Sequence, residues 1–442
     1  MSKRFIHISD LHIGITLCGA DLMDDIRHIL IDEIAGRIID EASKDKPVDG
    51  LIIAGDVFDR GSPSAEAEAL FGEFLTKVSI KKKVKVFCTS GNHDNSLHIS
   101  AHHGFLQLGG VYISQPFSGE TPYRIESFDD VDVVMLPYIS MVDVKSAFKE
   151  TKDTVRNTQQ AVRYVLDKVW EEPAAKGRPH ILVAHQAVGS SVGKEAGSQQ
   201  IISPSVFSDF TYTALGHFHS AGNPAGVENV RYCGSPLCYS LNEAKRNLES
   251  EECSRETPNG GKISVSVTEK TVDIIDVDDD GNVTVSQTAL VPLHRVVTVR
   301  GAYSDIMSYF STRETDKDYY YFLLTSEDIP EGMNALLRDK FPLMLSVRLD
   351  ESLRNTREEK QLGGEIRLNS FREDFARFFE QRTGEAPDDD VLSAADFIFE
   401  LTKEASNNGS LAQLKAGVPI LSEEEKVKVK ADAAAKNKGG SK

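Results

Sequence analysis

Along the first part of the chain, short unbroken apolar runs alternate with stretches whose apolar residues recur at helical spacing. Arg4–Ile8 reads as a strand, and Leu22–Ala42 repeats apolar residues at Ile26, Ile29/Leu30, Ile34 and Ile38, the one-sided stripe of an amphipathic helix. Gly50–Ala54 reads as a second strand, Ser64–Val78 as a helix with Pro63 and Ser64 at its start, and Val84–Cys88 as a third strand. This β-α-β-α-β order calls for parallel strands. Such strands are covered on both faces, so they are continuously apolar, as these are.

Further strands are expected at Val131–Leu136, Ile181–Ala184 and Tyr212–Leu215. A helix is expected over Asp153–Trp170, with Val155, Val162, Val165/Leu166 and Val169 on one face. Lys262–Val267 and Thr271–Val277 flank Thr268-Glu269-Lys270, which predicts a closing hairpin. From Val291 to Leu349 the pattern is strand (Arg295–Val299), helix (Tyr303–Ser311), strand (Tyr319–Thr325), helix (Gly332–Lys340), strand (Leu343–Arg348). Past Asn355-Thr356-Arg357 two amphipathic helices are expected. One carries Phe371, Phe375 and Phe378/Phe379; the other carries Val391/Leu392, Ala395, Ile398 and Leu401. The predicted organisation is an α/β domain over 1–285, an α+β module over 286–355, a helical segment over 356–410 and a disordered tail over 411–442.

Composition narrows the function classes. The chain has 442 residues, 40% of them hydrophobic, which is enough for a large core and more than one domain. It lacks an apolar run long enough to span a bilayer, and Met1-Ser2-Lys3-Arg4-Phe5 lacks the apolar stretch of a signal peptide, so a cytoplasmic, non-membrane protein is expected. The cysteines Cys18, Cys88, Cys233, Cys238 and Cys253 are odd in number and form no CxxC pair, which argues against a disulfide framework or thiolate zinc. The net charge of −18 works against tight unaided binding to nucleic-acid phosphates.

The chemistry sits in five motifs: Asp10-Leu11-His12, Gly55-Asp56-Val57-Phe58-Asp59, Gly91-Asn92-His93-Asp94, Ala184-His185-Gln186 and Gly216-His217-Phe218-His219. Each follows a predicted strand, and the carboxyl ends of strands in open α/β sheets are where ligands bind. Carboxylate, amide and imidazole groups without thiolate suit divalent first-row metals. On extended backbone, Asp10/His12 and His217/His219 would each point to one side, so one metal could take both members of a pair or two metals one each. Asp56 is the natural bridge between two metals, because a carboxylate offers two oxygens. His93, beside Asn92, is placed to stabilise charge on a phosphoryl group, and Asp59 to orient the His93 imidazole. Taken singly, such residues cap turns after strands. The seven Asp10, His12, Asp56, Asn92, His185, His217 and His219, in this order at strand ends, are not accounted for by capping. His7 falls within a strand, and His180 and His294 read as surface residues. Gly234-Ser235-Pro236 reads as a turn, with backbone positioning near the site as the alternative.

The succession D-x-H, G-D-x-x-D, G-N-H-D, H, G-H-x-H resembles the calcineurin-like metallophosphoesterase superfamily. Phe5–Gly14, Ala54–Asp59, Ala214–His219 and Arg231–Leu237 resemble the branch formed by nuclease subunits of SbcCD-type complexes, over roughly residues 4–240. The resemblance implies a four-layer α/β/β/α sandwich with a small α+β capping domain and C-terminal helices. It implies two divalent metal ions, most simply Mn2+, one held by Asp10, His12, Asp56 and His219 and the other by Asp56, Asn92, His185 and His217. His93 would be the catalytic residue outside both sets. It further implies cleavage of DNA ends and hairpins, an SbcC-type ATPase partner with a coiled coil bound by the C-terminal helices, and a homodimer of nuclease subunits within a heterotetramer. Asp59-Arg60-Gly61 also resembles the loop of Ser/Thr protein phosphatases, so a phosphomonoesterase or protein phosphatase is the rival enzyme. A non-catalytic DNA-end scaffold is the rival from another class.

Overall fold

The computed structural model describes residues 2–350 apart from 129, 173–176, 197–198, 246–247, 249, 279 and 327–329. Beyond 350 it describes 375–376, 379, 387–389, 391–393 and 395. The chain divides into two units, Met1–Arg354 and Asn355–Lys442.

In the first unit Lys3–Ile8, Gly50–Ala54, Lys85–Thr89 and Val111–Ile113 pair in parallel, as the β-α-β-α-β pattern requires. Thr271–Val277 and Val283–Ala289 extend this sheet antiparallel beyond Lys3–Ile8. A second sheet runs Val230–Tyr232, Tyr212–Gly216, His180–His185, Val131–Leu136 in parallel, with Arg124–Phe128 antiparallel at its edge. Side chains alternate across each strand, so an unbroken apolar run serves two cores. Phe5, Ile52 and Phe87 meet Val133, Met135, Ile181, Val183 and Ala214 between the sheets. Ile6, Ile8, Leu51, Ile53, Val86 and Cys88 face the other way, toward Ile26, Leu30, Ile34, Leu70 and Phe74.

Those last residues lie on the outer helices of the first sheet. One helical stretch runs through Met23–Arg27, His28–Ile38 (π-type) and Ile39–Ala42; the other is Ala65–Leu75, capped by Ser64 Oγ accepting from the Ala67 N–H at 3.2 Å. Met141–Ala147 and Thr158–Val169 cover the second sheet through Val144, Val162, Val165 and Leu166. The result is an α/β fold, two mixed sheets flanked by helical layers. The second of these helices begins five residues later than its apolar stripe suggests, because Asn157 caps it by accepting from the Gln160 N–H at 2.9 Å.

The expected hairpin about Thr268-Glu269-Lys270 does not form. Lys262–Val267 joins a third sheet, in the order Ser254–Glu256, Lys262–Val267, Val296–Gly301, Tyr319–Leu324, Met344–Leu349, while Thr271–Val277 stays in the first. Alternation along a strand fixes which face is buried, not which strand is the neighbour. The tripeptide is a crossover between sheets. Ile263, Val299 and Phe322 of the third sheet pack on Ile306 and Leu337 from the helices Tyr303–Tyr309 and Met333–Lys340.

His180 is also not a surface residue: it is buried beneath the Trp170 ring, its Nε2 3.3 Å from the Asp132 carboxylate. His294 is tied to Asp25 at 3.1 Å. All five cysteines are free. Among the described residues no helix is long and apolar enough to cross a membrane. In the second unit the described residues 375–376, 379, 389, 391–393 and 395 are helical, and the Phe375 and Phe379 rings lie 6.0 Å apart. Phe371, Phe378, Ile398, Leu401 and the tail 411–442 lie outside the described residues.

Candidate metal centre

All five motifs reach the same end of the facing sheets. Asp10 and His12 follow Lys3–Ile8, Asp56 follows Gly50–Ala54, and Asn92 and His93 follow Lys85–Thr89. His185 closes its strand, while His217 and His219 follow Tyr212–Gly216. The backbone is not extended there. Asp10 (φ 53°), His12 (φ 43°), Asp56 (φ 50°) and His217 (φ 112°) all have positive φ, which costs a non-glycine residue about 1–2 kcal/mol each. Hydrogen bonds between loops hold them: the Asp10 N–H donates to the Gly55 carbonyl and the His12 N–H to the Asp56 carbonyl, both at 3.0 Å. Strain at four potential ligands is concentrated where function would require it.

The bends decide how the paired residues divide. His219 Nε2 points toward Asp10, 3.9 Å from Oδ1, whereas His217 Nδ1 lies 3.1 Å from Asn92 Oδ1. His185 Nε2 is 3.1 Å from the same amide oxygen and 3.3 Å from Asp56 Oδ2. His12 Nε2 lies 3.6 Å from the same Asp56 oxygen, and it falls in a different ligand cluster from His185. Asp56 therefore stands between a group containing His12 and a group containing Asn92 and His185. Ligand atoms of Asp10, His12 and His219 lie within 4.8 Å of one another, as do those of Asp10, Asp56 and His185, and of His12, Asp59 and His93.

The donor set fits two divalent cations. Both ring nitrogens of His12 are buried without a hydrogen-bond partner, an arrangement that costs roughly 1–3 kcal/mol per group unless something else satisfies them. Asp10 and Asp56 are buried with ligand oxygens within 4.8 Å, a repulsion of roughly 3 kcal/mol at an effective dielectric of about 20. Burial opposes charge on Asp56, but the His185 and His12 imidazoles and the His93 N–H overcome it and hold the carboxyl well below the usual carboxylate range. Burial and the neighbouring His185 press His217 down to about 4, leaving it neutral near pH 7, the form that ligates metals. Separations of 3.1 Å about Asn92 Oδ1 match neighbouring ligands in a shell whose bonds are about 2.0–2.2 Å long.

The calcineurin-like phosphoesterase family model matches residues 3–221, a span that takes in all five motifs. The chain belongs to this family. Its clustered carboxylates and imidazoles form a metallophosphoesterase-type hydrolytic site, and the protein is a metal-dependent hydrolase of that class. The SbcD subunit of the nuclease SbcCD from Staphylococcus epidermidis is 24% identical over 358 residues, covering 78% of this chain and 84% of that protein. Among solved structures, TT1561 of Thermus thermophilus is 11% identical, covering 65% of this chain and 99% of its own, with a TM-score of 0.36. Vps29 of Chaetomium thermophilum is 11% identical, covering 65% and 98%, with a TM-score of 0.21.

Further residues support this phosphoesterase site, and of them Gln199 and Glu243 do not stand out in the sequence. The Asp94 carboxylate accepts from the N–H groups of Val57 (3.2 Å), Phe58 (3.0 Å) and Gly91 (2.9 Å), binding two motif loops together. Gln199 donates to Asn92 Oδ1 at 2.8 Å. Glu243 faces His219 and Lys270, and although burial disfavours its charge these partners bring its carboxyl down to about 2. Ser240-x-x-Glu243 is a capping-box spacing, a signal that places Glu243 on a helix start but not beside His219. Gly234, at φ 78°, packs so closely on the His219 loop that a Cβ would come within 2.8 Å of the Ala221 nitrogen, so this turn does position backbone near the site. Asp59 meets His93 through its main-chain carbonyl, at 3.0 Å from Nδ1, and turns its carboxylate to His12 Nδ1 at 3.6 Å.

Proposed function

We propose that the protein is the nuclease subunit of an SbcCD-type complex, hydrolysing DNA phosphodiester bonds as a double-strand exonuclease and a single-strand and hairpin endonuclease. The observation that carries the reading is the gathering of six strand-end candidate ligands about Asp56, with His93 beside them. The match to the Staphylococcus epidermidis protein supports the choice of substrate, since it extends over 78% of the chain and so beyond the 3–221 span of the family model.

In this reading Asp10, His12, Asp56 and His219 hold one metal and Asp56, Asn92, His185 and His217 the other, with Mn2+ the expected ion. Two such ions bound together supply a hydroxide at neutral pH and charge stabilisation at phosphorus. The chain's own residues fix the geometry. His185 Nδ1 donates to the Ala54 carbonyl at 2.9 Å, which leaves Nε2 as the ligating nitrogen. His93, anchored on the Asp59 carbonyl, offers its Nε2 side to the phosphoryl oxygens or the leaving group. Asp59 tunes the site through the charge it sets against His12.

The proposed organisation is a nuclease domain over 1–285, a cap over 286–355, a segment over 356–410 for an SbcC-type ATPase and a tail over 411–442. The cap sheet borrows Ser254–Glu256 and Lys262–Val267 from the preceding domain. A homodimer of nuclease subunits would complete the assembly, and the partner would supply the DNA grip that a net charge of −18 denies this chain.

One observation favours a phosphomonoesterase instead. Arg60 is exposed and lies 3.5 Å from the Asp59 carboxylate, and Asp59-Arg60-Gly61 resembles the loop of Ser/Thr protein phosphatases. A labelled DNA hairpin incubated with Mn2+, with and without the ATPase, separates the readings. Cleavage stimulated by the ATPase supports the nuclease; turnover of a phosphomonoester with none of the hairpin supports the rival.

A further inference from the structure

We propose that Glu243, fastened by Lys270, is a positioning residue that turns the His219 imidazole so that Nε2 faces Asp10. Two other imidazoles of the centre are fixed by main-chain carbonyls: His185 by Ala54 at 2.9 Å and His93 by Asp59 at 3.0 Å. His219 is fixed by a side chain. Its Nδ1 lies 3.2 Å from Glu243 Oε1, and its Nε2 lies 3.9 Å from Asp10 Oδ1. An ionised carboxylate only accepts, so the Nδ1 proton is donated to Glu243 and Nε2 keeps its lone pair for a ligand.

Ser240 Oγ donates to Glu243 Oε1 at 3.0 Å, and the other carboxylate oxygen is held by Lys270. Its ammonium donates to Glu243 Oε2 (2.7 Å), the His219 carbonyl (2.8 Å) and Ser235 Oγ (2.9 Å), using all three N–H bonds on groups that surround one imidazole. Both side chains are nearly buried, Lys270 at 13% and Glu243 at 10% exposure, so water competes little for these bonds. Lys270 stands on the crossover from Lys262–Val267 to Thr271–Val277, so the link joins the third sheet to the centre.

The inference rests on the proposed role of His219 as a ligand, and the test separates the two. Mn2+ is titrated into the full chain while free ion is read by electron paramagnetic resonance. A wild-type chain that binds no Mn2+ removes the ligand assignment itself. With two sites in the wild type, Glu243→Gln is expected to weaken one of them about 10- to 100-fold and to leave the other unchanged. Glu243→Asp should recover part of the loss. Two unchanged affinities, or two that fall in parallel with the melting temperature of the metal-free chain, overturn the proposal. Should Glu243→Gln not fold, 15N spectra of the metal-free wild type decide: His219 protonated at Nδ1 is expected, and a neutral ring protonated at Nε2 overturns it.

Discussion

His93 is anchored on the main chain of Asp59, its Nδ1 3.0 Å from the carbonyl oxygen, while the Asp59 carboxylate faces His12 at 3.6 Å. A carbonyl cannot donate, so His93 carries its proton on Nδ1. The two residues expected to form a carboxylate–imidazole pair thus act on different partners, and their variants should behave differently.

His93→Ala should keep both metals and lose about 10²–10³-fold in turnover, the range for removing one donor to transition-state charge. Metal titration beside single-turnover hydrolysis measures both quantities. Loss of a metal together with turnover would place His93 among the ligands.

Asp59→Asn keeps the carbonyl and so keeps the His93 anchor. Its effect should run through His12, where a negative charge 3.6 Å away is removed, and turnover should fall by about tenfold, the low end for a partner of a metal-ligating imidazole. A deficit as large as that of His93→Ala would mean that the carboxylate, not the carbonyl, governs the imidazole.

Legibility in the sequence follows the range of the physical signal. The strands Gly50–Ala54 and Val131–Leu136 are readable because burial on both faces leaves an unbroken apolar run. Arg124–Phe128, an edge strand with no fully buried residue, gives no such run and escapes the pattern. The seven potential ligands are readable because metal chemistry restricts residue type at each strand end. Glu243 and Lys270 are not, since 27 residues and two strands of the third sheet separate them, and pairing at that range leaves no periodic trace. The backbone at Asp10 and His12 reads as extended and is not, because alternation of chemistry looks the same whether the side chains share a face through pleating or through positive φ.

Asp56→Asn tests the bridge. An amide offers one oxygen and no charge, so the variant should bind at most one Mn2+ and lose hydrolysis below detection, although its fold persists. Two metals bound by this variant at wild-type affinity would remove Asp56 from the bridging position.

His7 gives the fold an acid sensitivity away from the metals. Burial, reinforced by the charge of Arg231, lowers its folded pKa to about 3 from 6.5. Above pH 6.5 neither folded nor unfolded chain protonates it, so its contribution is complete. Below that the unfolded chain takes the proton and the folded chain does not, so stability falls as pH drops toward 3, by about 2 kcal/mol at pH 5. Urea midpoints for wild type and His7→Gln at pH 7 and pH 5 check this. The variant should lose markedly less on acidification; an equal loss would place the acid sensitivity elsewhere.

Gly216→Ala asks whether the centre depends on close approach of two strands. A Cβ at Gly216 would sit against the Ala54 carbonyl oxygen and 2.8 Å from His185 Nδ1, the two atoms that form the hydrogen bond fixing that imidazole. The obstacle is backbone on one side and a buried ring on the other, so neither can rotate away. The methyl must part the strands Gly50–Ala54 and Tyr212–Gly216 or break the bond from His185 to Ala54. Overpacking of this kind costs about 1–3 kcal/mol or more, and here it should also abolish the metal that His185 helps to hold. Gly72→Ala is the matched control. It lies in the helix Ala65–Leu75 with nothing within 4 Å of the added carbon, so it should stabilise by about 0.5–1 kcal/mol and leave metal binding unchanged. Melting temperatures with and without Mn2+ report both effects. If Gly216→Ala binds two metals as tightly as Gly72→Ala does, the approach of the two strands is not what sets the His185 imidazole.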